Sequence, residues 1–515
     1  MRALLVVAAT AAALVSGSVQ SHAQATPVAV QFQVNSYENG NQARPSVCMT
    51  PQGDFVVGFL DHYPFVSGGQ AGQDGSGSTA CLIRFSAPAE QGFEFITSTY
   101  LAGDQTDIAA ACAPNGDFLM GWADRPDADA VGRTAFAARA FDDLSLPKAN
   151  AFVVRGDELV GAPFHRTAVC RGAGNAFVTA WVDGDGSLLG RRYDVDGSAV
   201  GTEFPIATGS PASPVCCGGD VGFVVAWGDE ALGDVSARRF SSTAEALDDA
   251  FVVNTETVAV QEAPDVACND GGEFVVVWDS NAGDDTGSGQ DGDGHGVFGQ
   301  AFDADGVAVG TEFRANSFTT GDQVDTRVSM DSTGRFVAVW TSAQLSEGRH
   351  GIFGRTFGAD ATTVGSEFRV DGSGPNPQSS ESGHADVAMT PTGDFVVVWE
   401  NDQDEGNGQG IFGRLYDFPA DGTTTTVTTS TSVPATPVCG DPVGASIGAR
   451  SDEFAPLSEV TASDALFVLQ TAVGSETCEA CVCDVDGSGT IAASDALITL
   501  KKAVGQEVTL SCPAC

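Results

Sequence analysis

Lysine is almost missing from this chain: Lys148, Lys501 and Lys502 are the whole supply among 515 residues. Lys and Arg together number 24 against 68 Asp and Glu, a net charge of −44 with His neutral. A surface this poor in positive charge repels phosphate backbones and anionic lipid, so nucleic acid is excluded as a partner. The overall acidity reads as a solubility device suited to salty surroundings, and it also attracts divalent cations. Long apolar runs are missing too. The longest, residues 3–15, follows Met1-Arg2 and precedes Ala23-Gln24-Ala25. It is too short to span a bilayer, and the arrangement is that of a secretory signal over residues 1–25. No membrane insertion is expected, and no cysteine near residue 25 offers a lipid anchor. Also absent are H-E-x-x-H, S-x-D-x-G-x-x-W and a phosphate-cradling glycine loop, which removes the enzymes built on them. Disorder is not implied, because 42% of residues are hydrophobic and 18% charged.

What is present is a repeated phrase that holds all six tryptophans: FLMGW (118–122), FVTAW (177–181), FVVAW (223–227), FVVVW (274–278), FVAVW (336–340) and FVVVW (395–399). A seventh copy, FVVGF (55–59), ends in Phe59. One large anchor at one position of every unit is the mark of stacked repeats. The fifth unit shows four short apolar runs: 265–268, 274–278, 297–302 and 312–316. Turn phrases such as Asn269-Asp270-Gly271-Gly272 and Asp303-Ala304-Asp305-Gly306 separate them. The second run is apolar at every position, as a strand covered on both faces must be. Four antiparallel strands per unit at this spacing predict propeller blades. The seventh unit lacks its fourth strand, whereas a spare fourth-strand phrase, QFQVNS (31–36), stands ahead of the first and matches EFRANS (312–317). A ring closes if that leading strand completes the last blade, which also removes an exposed sheet edge. The expectation is a seven-bladed β-propeller over residues 28–421.

Several matched positions invite functional readings and receive structural ones. Arg139, Arg191, Arg238, Arg355 and Arg414 share a third-strand slot and are expected to pair with aspartates of the repeat. His295 and His350 share a slot with Gln409, and a position that tolerates Gln is repeat grammar, not a general base. Cys112, Cys217 and Cys268 share a slot with Met49, Met330 and Met389, which suggests apolar packing near the ring centre, with Cys216-Cys217 also open to a bridge. Seven of the thirteen cysteines lie in the repeats, so at least one there stands outside internal pairing. First-to-second turns are short, and third-to-fourth turns carry phrases such as Asp194-Val195-Asp196-Gly197. The other two loop classes are long and irregular and fall on one face, the expected contact surface for a glycan or protein ligand. The Asp/Gly-rich loop 284–294 is a calcium candidate weighed against a solvated turn, and the turn is favoured.

Residues 422–438 form a Thr/Ser/Pro linker, and residues 439–515 follow as a separate module. Within it Asp484, Asp486, Ser488, Thr490 and Asp495 fall at positions 1, 3, 5, 7 and 12 of a loop curled by Gly487 and Gly489. Side-chain oxygens at 1, 3, 5 and 12 with a backbone carbonyl at 7 are the ligand logic of an EF-hand-type calcium loop. Ala462-Ser463-Asp464-Ala465-Leu466 returns as Ala493-Ser494-Asp495-Ala496-Leu497. On this duplication the module resembles a dockerin, a small α-helical domain of paired calcium loops. The first loop departs from that pattern, with Glu453, Ala455 and Leu457 at positions 1, 3 and 5. The resemblance implies calcium as cofactor, a cohesin-like protein partner and a connection to polysaccharide degradation. Cys439, Cys478, Cys481, Cys483, Cys512 and Cys515 are expected as disulfides of this module, with zinc as the lesser reading. The repeats resemble FVVVW arrays of large exported bacterial proteins, which implies fold more than activity.

The leading expectation is therefore a secreted or cell-surface calcium-binding protein with a propeller binding or scaffold domain and a dockerin-like attachment module. Two alternatives stand beside it: a glycoside hydrolase or lyase on the propeller, and a structural adhesin component. No catalytic residue is assigned.

Overall fold

The computed structural model describes residues 25–28, 30–36, 41–62, 78–86, 90–97, 104–125, 134–157, 167–257, 259–281, 290–345, 349–372, 382–402 and 409–419. The chain divides into two units at Thr423/Thr424, and all described residues belong to the first. The linker, the cysteines of the C-terminal module and the proposed calcium ligands Asp484, Asp486, Ser488, Thr490 and Asp495 lie outside the described residues.

The described residues are mainly β, without helix, and form seven antiparallel sheets that make a seven-bladed propeller. Two short segments come first, β1 (Thr26–Pro27) and β2 (Phe32–Gln33). Blade 1 is β3 (Asn41–Met49), β4 (Phe55–His62), β5 (Ser78–Ser86) and β6 (Glu90–Ile96). Blade 2 is β7 (Asp104–Cys112), β8 (Phe118–Arg125), β9 (Thr134–Phe141) and β10 (Phe152–Asp157). Blade 3 is β11 (Ala168–Arg171), β12 (Phe177–Val182), β13 (Leu188–Tyr193) and β14 (Ala199–Ala207). Blade 4 is β15 (Pro211–Gly218), β16 (Gly222–Asp229), β17 (Asp234–Ser241) and β18 (Phe251–Val252). Blade 5 is β19 (Val260–Cys268), β20 (Phe274–Asn281), β21 (Gly296–Phe302) and β22 (Ala308–Arg314). Blade 6 is β23 (Gln323–Met330), β24 (Phe336–Ser342), β25 (Gly351–Phe357) and β26 (Phe368–Arg369). Blade 7 is β27 (Ser382–Met389), β28 (Phe395–Asn401) and β29 (Gly410–Asp417), and β1 and β2 both pair with β29.

The second strands are buried because both faces meet another blade. Phe274 to Trp278 are fully buried, and their side chains split between neighbouring hydrophobic clusters on the two faces. In blades 1, 2, 4, 5, 6 and 7 the first Phe of that strand stacks on the aromatic opposite it in the third, as in Phe274–Phe302 at 4.7 Å and Phe395–Tyr416 at 5.0 Å. Offset stacking of this kind adds about 0.5–1.5 kcal/mol to the burial itself. Closure is supplied by the leading strand. Phe32 stands opposite Gly413, and its ring fills the space that a Cβ on Gly413 would need. Gly299 hosts Phe313 in the same way inside blade 5. The Val34 amide donates to the Ile411 carbonyl at 2.7 Å, and the Ile411 amide donates to the Asn35 side chain at 2.8 Å. Asn316 receives the Val297 amide identically in blade 5, so residues 32–35 are a true fourth strand of blade 7.

The matched arginines are structural, but their partners are not aspartates. Arg139, Arg238, Arg355 and Arg414 donate to backbone carbonyls at the outer end of the preceding blade, Thr97, Ile206, Ala315 and Val370 respectively. A planar guanidinium offers donors in several directions, and these carbonyls need one where the outer strand stops. Arg191 differs and lies 3.9 Å from Glu203. The His slot works through its backbone. The carbonyls of His295, His350 and Gln409 accept the amides of Gln323, Ser382 and Gln42 of the next blade. Any side chain leaves that bond intact.

The cysteines depart from the packing expectation. Cys48–Cys112, Cys170–Cys216 and Cys217–Cys268 are disulfides, with Cα separations of 5.4, 5.7 and 5.6 Å. Innermost strands of adjacent blades run side by side at the distance a disulfide spans. The bridges therefore tie blades 1–2, 3–4 and 4–5. Cys217 also sits one position earlier than expected, opposite Val224, because Gly218 stands opposite Phe223 and the following turn is one residue shorter. The seventh repeat cysteine, Cys81, is buried in β5 and is not part of these bridges. Three disulfides fit an oxidising compartment. Among the described residues no helix is long and apolar enough to cross a membrane.

Candidate functional site at the axial mouth

Every innermost strand carries a register shift near its start in blades 1, 2, 4, 5, 6 and 7. In each the extra residue takes a left-handed backbone: Arg44, Asp107, Ser213, Ala263, Asp325 and His384, with φ between 42° and 57°. A bulge re-aims the side chains around it, and six non-glycine residues in this conformation cost on the order of 1 kcal/mol each. The bulges surround one cavity of about 280 Å³ at the ring axis, lined by residues from all seven innermost strands. It opens on the face that carries the second-to-third and fourth-to-first connections. Those connections are not uniformly long: in blades 3 and 4 the second-to-third links are turns, closed by Asp183 N donating to Ser187 O and Gly233 N donating to Asp229 O.

The slot just after the bulge points into this mouth. It holds Ser46, Ala109, Ala168 and Val215 in blades 1 to 4, then Asp265, Arg327 and Asp386 in blades 5 to 7. Three consecutive blades therefore break the repeat with charge. The carboxylates are anchored from the following blade: Val328 N donates to Asp265 and Val47 N donates to Asp386, each at 2.8 Å. The second oxygen of Asp386 accepts its own neighbour's amide, Val387 N, at 2.9 Å. Arg327 cannot accept, and it donates to the Thr326 carbonyl at 2.7 Å. Burial opposes its charge, but Asp265, Asp386, Asp325 and Asp279 outweigh that and hold its pKa above the ordinary value. Burial likewise pushes Asp386 up to about 6, against the pull of Arg327 and with the push of Asp265.

A second tier comes from the residue after the tryptophan. Asp279 is buried and takes the Asp325 amide at 2.9 Å and the Thr326 hydroxyl at 2.8 Å. Glu400 takes the Arg44 amide at 3.1 Å. Each thus secures a bulge residue of the next blade. Burial raises Asp279 to about 7. His384 bonds Glu400 through Nδ1 and stands 3.8 Å from Asp325 through Nε2, and the Glu400 bond raises its pKa. Across blades 1 and 2, Arg44 pairs with Asp107 at 3.0 Å.

None of these residues was singled out from the sequence. The usable signal was the residue on either side of the repeat anchors: Asp279 and Glu400 follow Trp278 and Trp399 where Ala123, Val182, Gly228 and Thr341 follow the other four. Of loop 284–294, residues 284–289 lie outside the described residues. Asp291 receives the Asn316 amide group at 2.9 Å, and Asp293 receives the Gly321 amide at 3.2 Å, so both carboxylates tie one connection to the next. Among the described residues no group of three His, Cys, Asp or Glu is arranged to hold a metal ion.

No family model matches the chain, and no curated protein sequence matches it. Solved structures do resemble it. A protein of unknown function from Dyadobacter fermentans DSM 18053 aligns at 13% identity and a TM-score of 0.45, over 77% of this chain and 99% of its own. A GH93 α-L-arabinofuranosidase of Fusarium graminearum in complex with arabinobiose aligns at 10% identity and a TM-score of 0.42, over 76% and 97%. An α-L-arabinanase of Penicillium chrysogenum complexed with arabinobiose aligns at 10% identity and 0.42, over 76% and 98%.

Proposed function

We propose that the propeller is carbohydrate-active and cleaves a glycosidic bond at the axial mouth. The observation that carries this reading is the run Asp265, Arg327, Asp386 in one slot of three consecutive blades, facing a polar cavity, where the same slot is uncharged in the other four blades. Glycoside hydrolysis needs one carboxyl that holds a proton and a second that acts as base or nucleophile. Asp386, pushed up to about 6, is the acid, and Asp265 is its partner across Arg327. Each oxygen of Asp386 accepts one amide and keeps a second lone pair. Arg327 binds sugar hydroxyls and keeps the pair from both being charged without compensation. The His384–Glu400 pair holds the rim.

The test is release of reducing ends from a polysaccharide panel that includes arabinan, with the full chain, Asp386→Asn and Asp265→Asn. Loss of general acid catalysis lowers the rate by roughly 10²–10⁴. Glycan binding without turnover by the unaltered protein overturns hydrolysis and leaves a binding or scaffold propeller. That second reading is favoured by one specific observation: Asp265, Asp279, Asp386 and Glu400 each also hold an amide of the next blade, work that needs no chemistry. Neither binding nor turnover overturns both.

We propose further that the protein is exported, and that residues 439–515 attach it to a cohesin-like partner through one calcium ion. The support is the ligand spacing of Asp484, Asp486, Ser488, Thr490 and Asp495. Calcium titrated into the full chain should lose one strong site in Asp484→Ala, and equal binding by the two overturns it.

A further inference from the structure

The other end of the channel carries a different chemistry. Chain-wide there are five methionines, and three of them occupy one register position. Met49, Met330 and Met389 each stand opposite the first Phe of the second strand in their blade. The blades are 1, 6 and 7, which are consecutive around the closed ring because β27 packs between β23 and β3. All three residues line one cavity of about 140 Å³ at the short-turn end, where the Arg171 guanidinium is already paired with Asp270. Of the remaining two methionines, Met120 is fully buried among the side chains of blades 1 and 2. We propose that this end binds a soft monovalent cation, Cu(I), through the three thioethers.

Each of the three also packs against an apolar cluster between blades, but the position does not demand methionine. The same register position is Arg171 in blade 3 and Gly218 in blade 4, so it has no fixed volume to fill. It is Cys112 and Cys268 in blades 2 and 5, and both are spent in disulfides. Those sulfurs cannot ligate as thiolates, which leaves the thioethers as the soft donors of this cavity. The rim is pinned for the purpose. The amide and hydroxyl of Ser332 donate to the Pro391 carbonyl at 3.2 and 2.7 Å, and Arg335 donates to the Thr392 carbonyl at 3.2 Å. These bonds lock the turn after Met330 to the turn after Met389. Thioethers are soft and neutral, so they select Cu(I) over calcium, magnesium or zinc. They need no deprotonation, unlike thiolate, imidazole or carboxylate ligands, and binding should be flat between about pH 5.5 and 8. In an oxidising compartment thiols are consumed as disulfides, whereas thioethers remain available.

The experiment uses the full chain with any thiols capped by N-ethylmaleimide. Cu(I) is delivered anaerobically against a chromogenic Cu(I) chelator. The expected result is one equivalent bound, with affinity reduced on the order of a hundredfold in the Met330→Leu/Met389→Leu variant and no dependence on pH. Leucine keeps the volume, so the fold should tolerate it. Equal binding by capped wild type and variant overturns the proposal. A second measurement needs no variant: with ¹³C-methyl methionine labelling, Ag(I) should shift the methyl signals of Met49, Met330 and Met389 together and leave Met120 in place. If no methyl signal moves, or only Met120 moves, the site does not exist.

Discussion

The ring is locked in two different ways along two arcs. From blade 1 to blade 5, disulfides tie innermost strands at three of the four seams. From blade 5 through 6 and 7 back to blade 1, the described residues include no disulfide. There the side chains of Asp265, Asp279, Asp386 and Glu400 reach across two of the three seams to backbone amides of the next blade. The third seam, between blades 6 and 7, has His384 opposite Asp325 and the turn-to-turn bonds of Ser332. A covalent staple is indifferent to pH and brings no charge to the mouth. A carboxylate that grips an amide and still faces the channel responds to pH and can meet a ligand. The run Asp265, Arg327, Asp386 lies on the arc that bonds by hydrogen bonds, so structural and chemical duties there fall on the same residues.

The largest expected effect separates the arcs. The three disulfides close loops of 64, 46 and 51 residues, and chain-entropy arguments give about 4 kcal/mol for each such loop. Reduction should lower the urea midpoint of the propeller strongly. Hydrogen exchange should show β3, β7, β11, β15 and β19 losing protection before β23 and β27. Uniform loss around the ring would mean the arcs are one cooperative unit and the distinction has no energetic content.

Next in size is Asp386→Ala. It strips the Val47 and Val387 amides of their acceptor and leaves Arg327 with one fewer compensating charge. Breaking a buried ionic arrangement from one side costs about 3–5 kcal/mol. The corresponding change on the stapled arc is Ser46→Ala, which removes one acceptor for the Ala110 amide and should cost about 1 kcal/mol. Thermal or urea unfolding of both variants checks the ratio, and similar costs would erase the asymmetry.

These positions show where sequence reading stopped. The blades were legible because Trp, Phe and Gly recur at fixed offsets, and because the Phe32 phrase repeats Phe313. Ring closure follows from that match alone. Disulfides were expected from the cysteine count, but their pairing was not legible, since Cys48 and Cys112 meet only once two separate sheets stand side by side. The mouth was hidden by the bulges. An extra residue between Ala43 and Ser46, or between Gly383 and Asp386, breaks the alternation that would mark Asp386 as facing the channel. The arginine partners were missed because carbonyls at strand ends carry no sequence label. For residues 484–495 the ligand spacing is all that speaks, as they lie outside the described residues.

A pH series sharpens the comparison further. Asp279 has a folded pKa raised to about 7 from an ordinary 3.8, so between those values the folded state holds a proton that the unfolded state releases. Raising pH through that window therefore lowers stability, by about 1.4 kcal/mol per unit at most. The raised pKa of His384 acts in the same direction but above its ordinary 6.5, where its stabilising charge is lost as pH rises. Stability should fall by roughly 2–4 kcal/mol between pH 4 and 7, and Asp279→Asn should remove much of the slope. A wild-type profile that rises across this window would show that other groups dominate the titration.

The smallest expected effect is the most discriminating about how the seams are read. At the seam between blades 5 and 6, the carbonyl of His295 accepts the Gln323 amide, and the imidazole lies 3.9 Å from a half-exposed Glu262. His295→Gln therefore changes a side chain whose sister position is already Gln409, and it should stay within about 0.5 kcal/mol of wild type. Asn316, at the same seam, is the opposite case. Its side chain is buried, accepts the Val297 amide and donates to Asp291 and Gln323. Asn316→Ala leaves several polar groups without partners and should cost about 1–3 kcal/mol or more. If His295→Gln proves as damaging as Asn316→Ala, the imidazole carries a contact the backbone reading has assigned to the carbonyl, and the polar arc is held by one more side chain than its carboxylates.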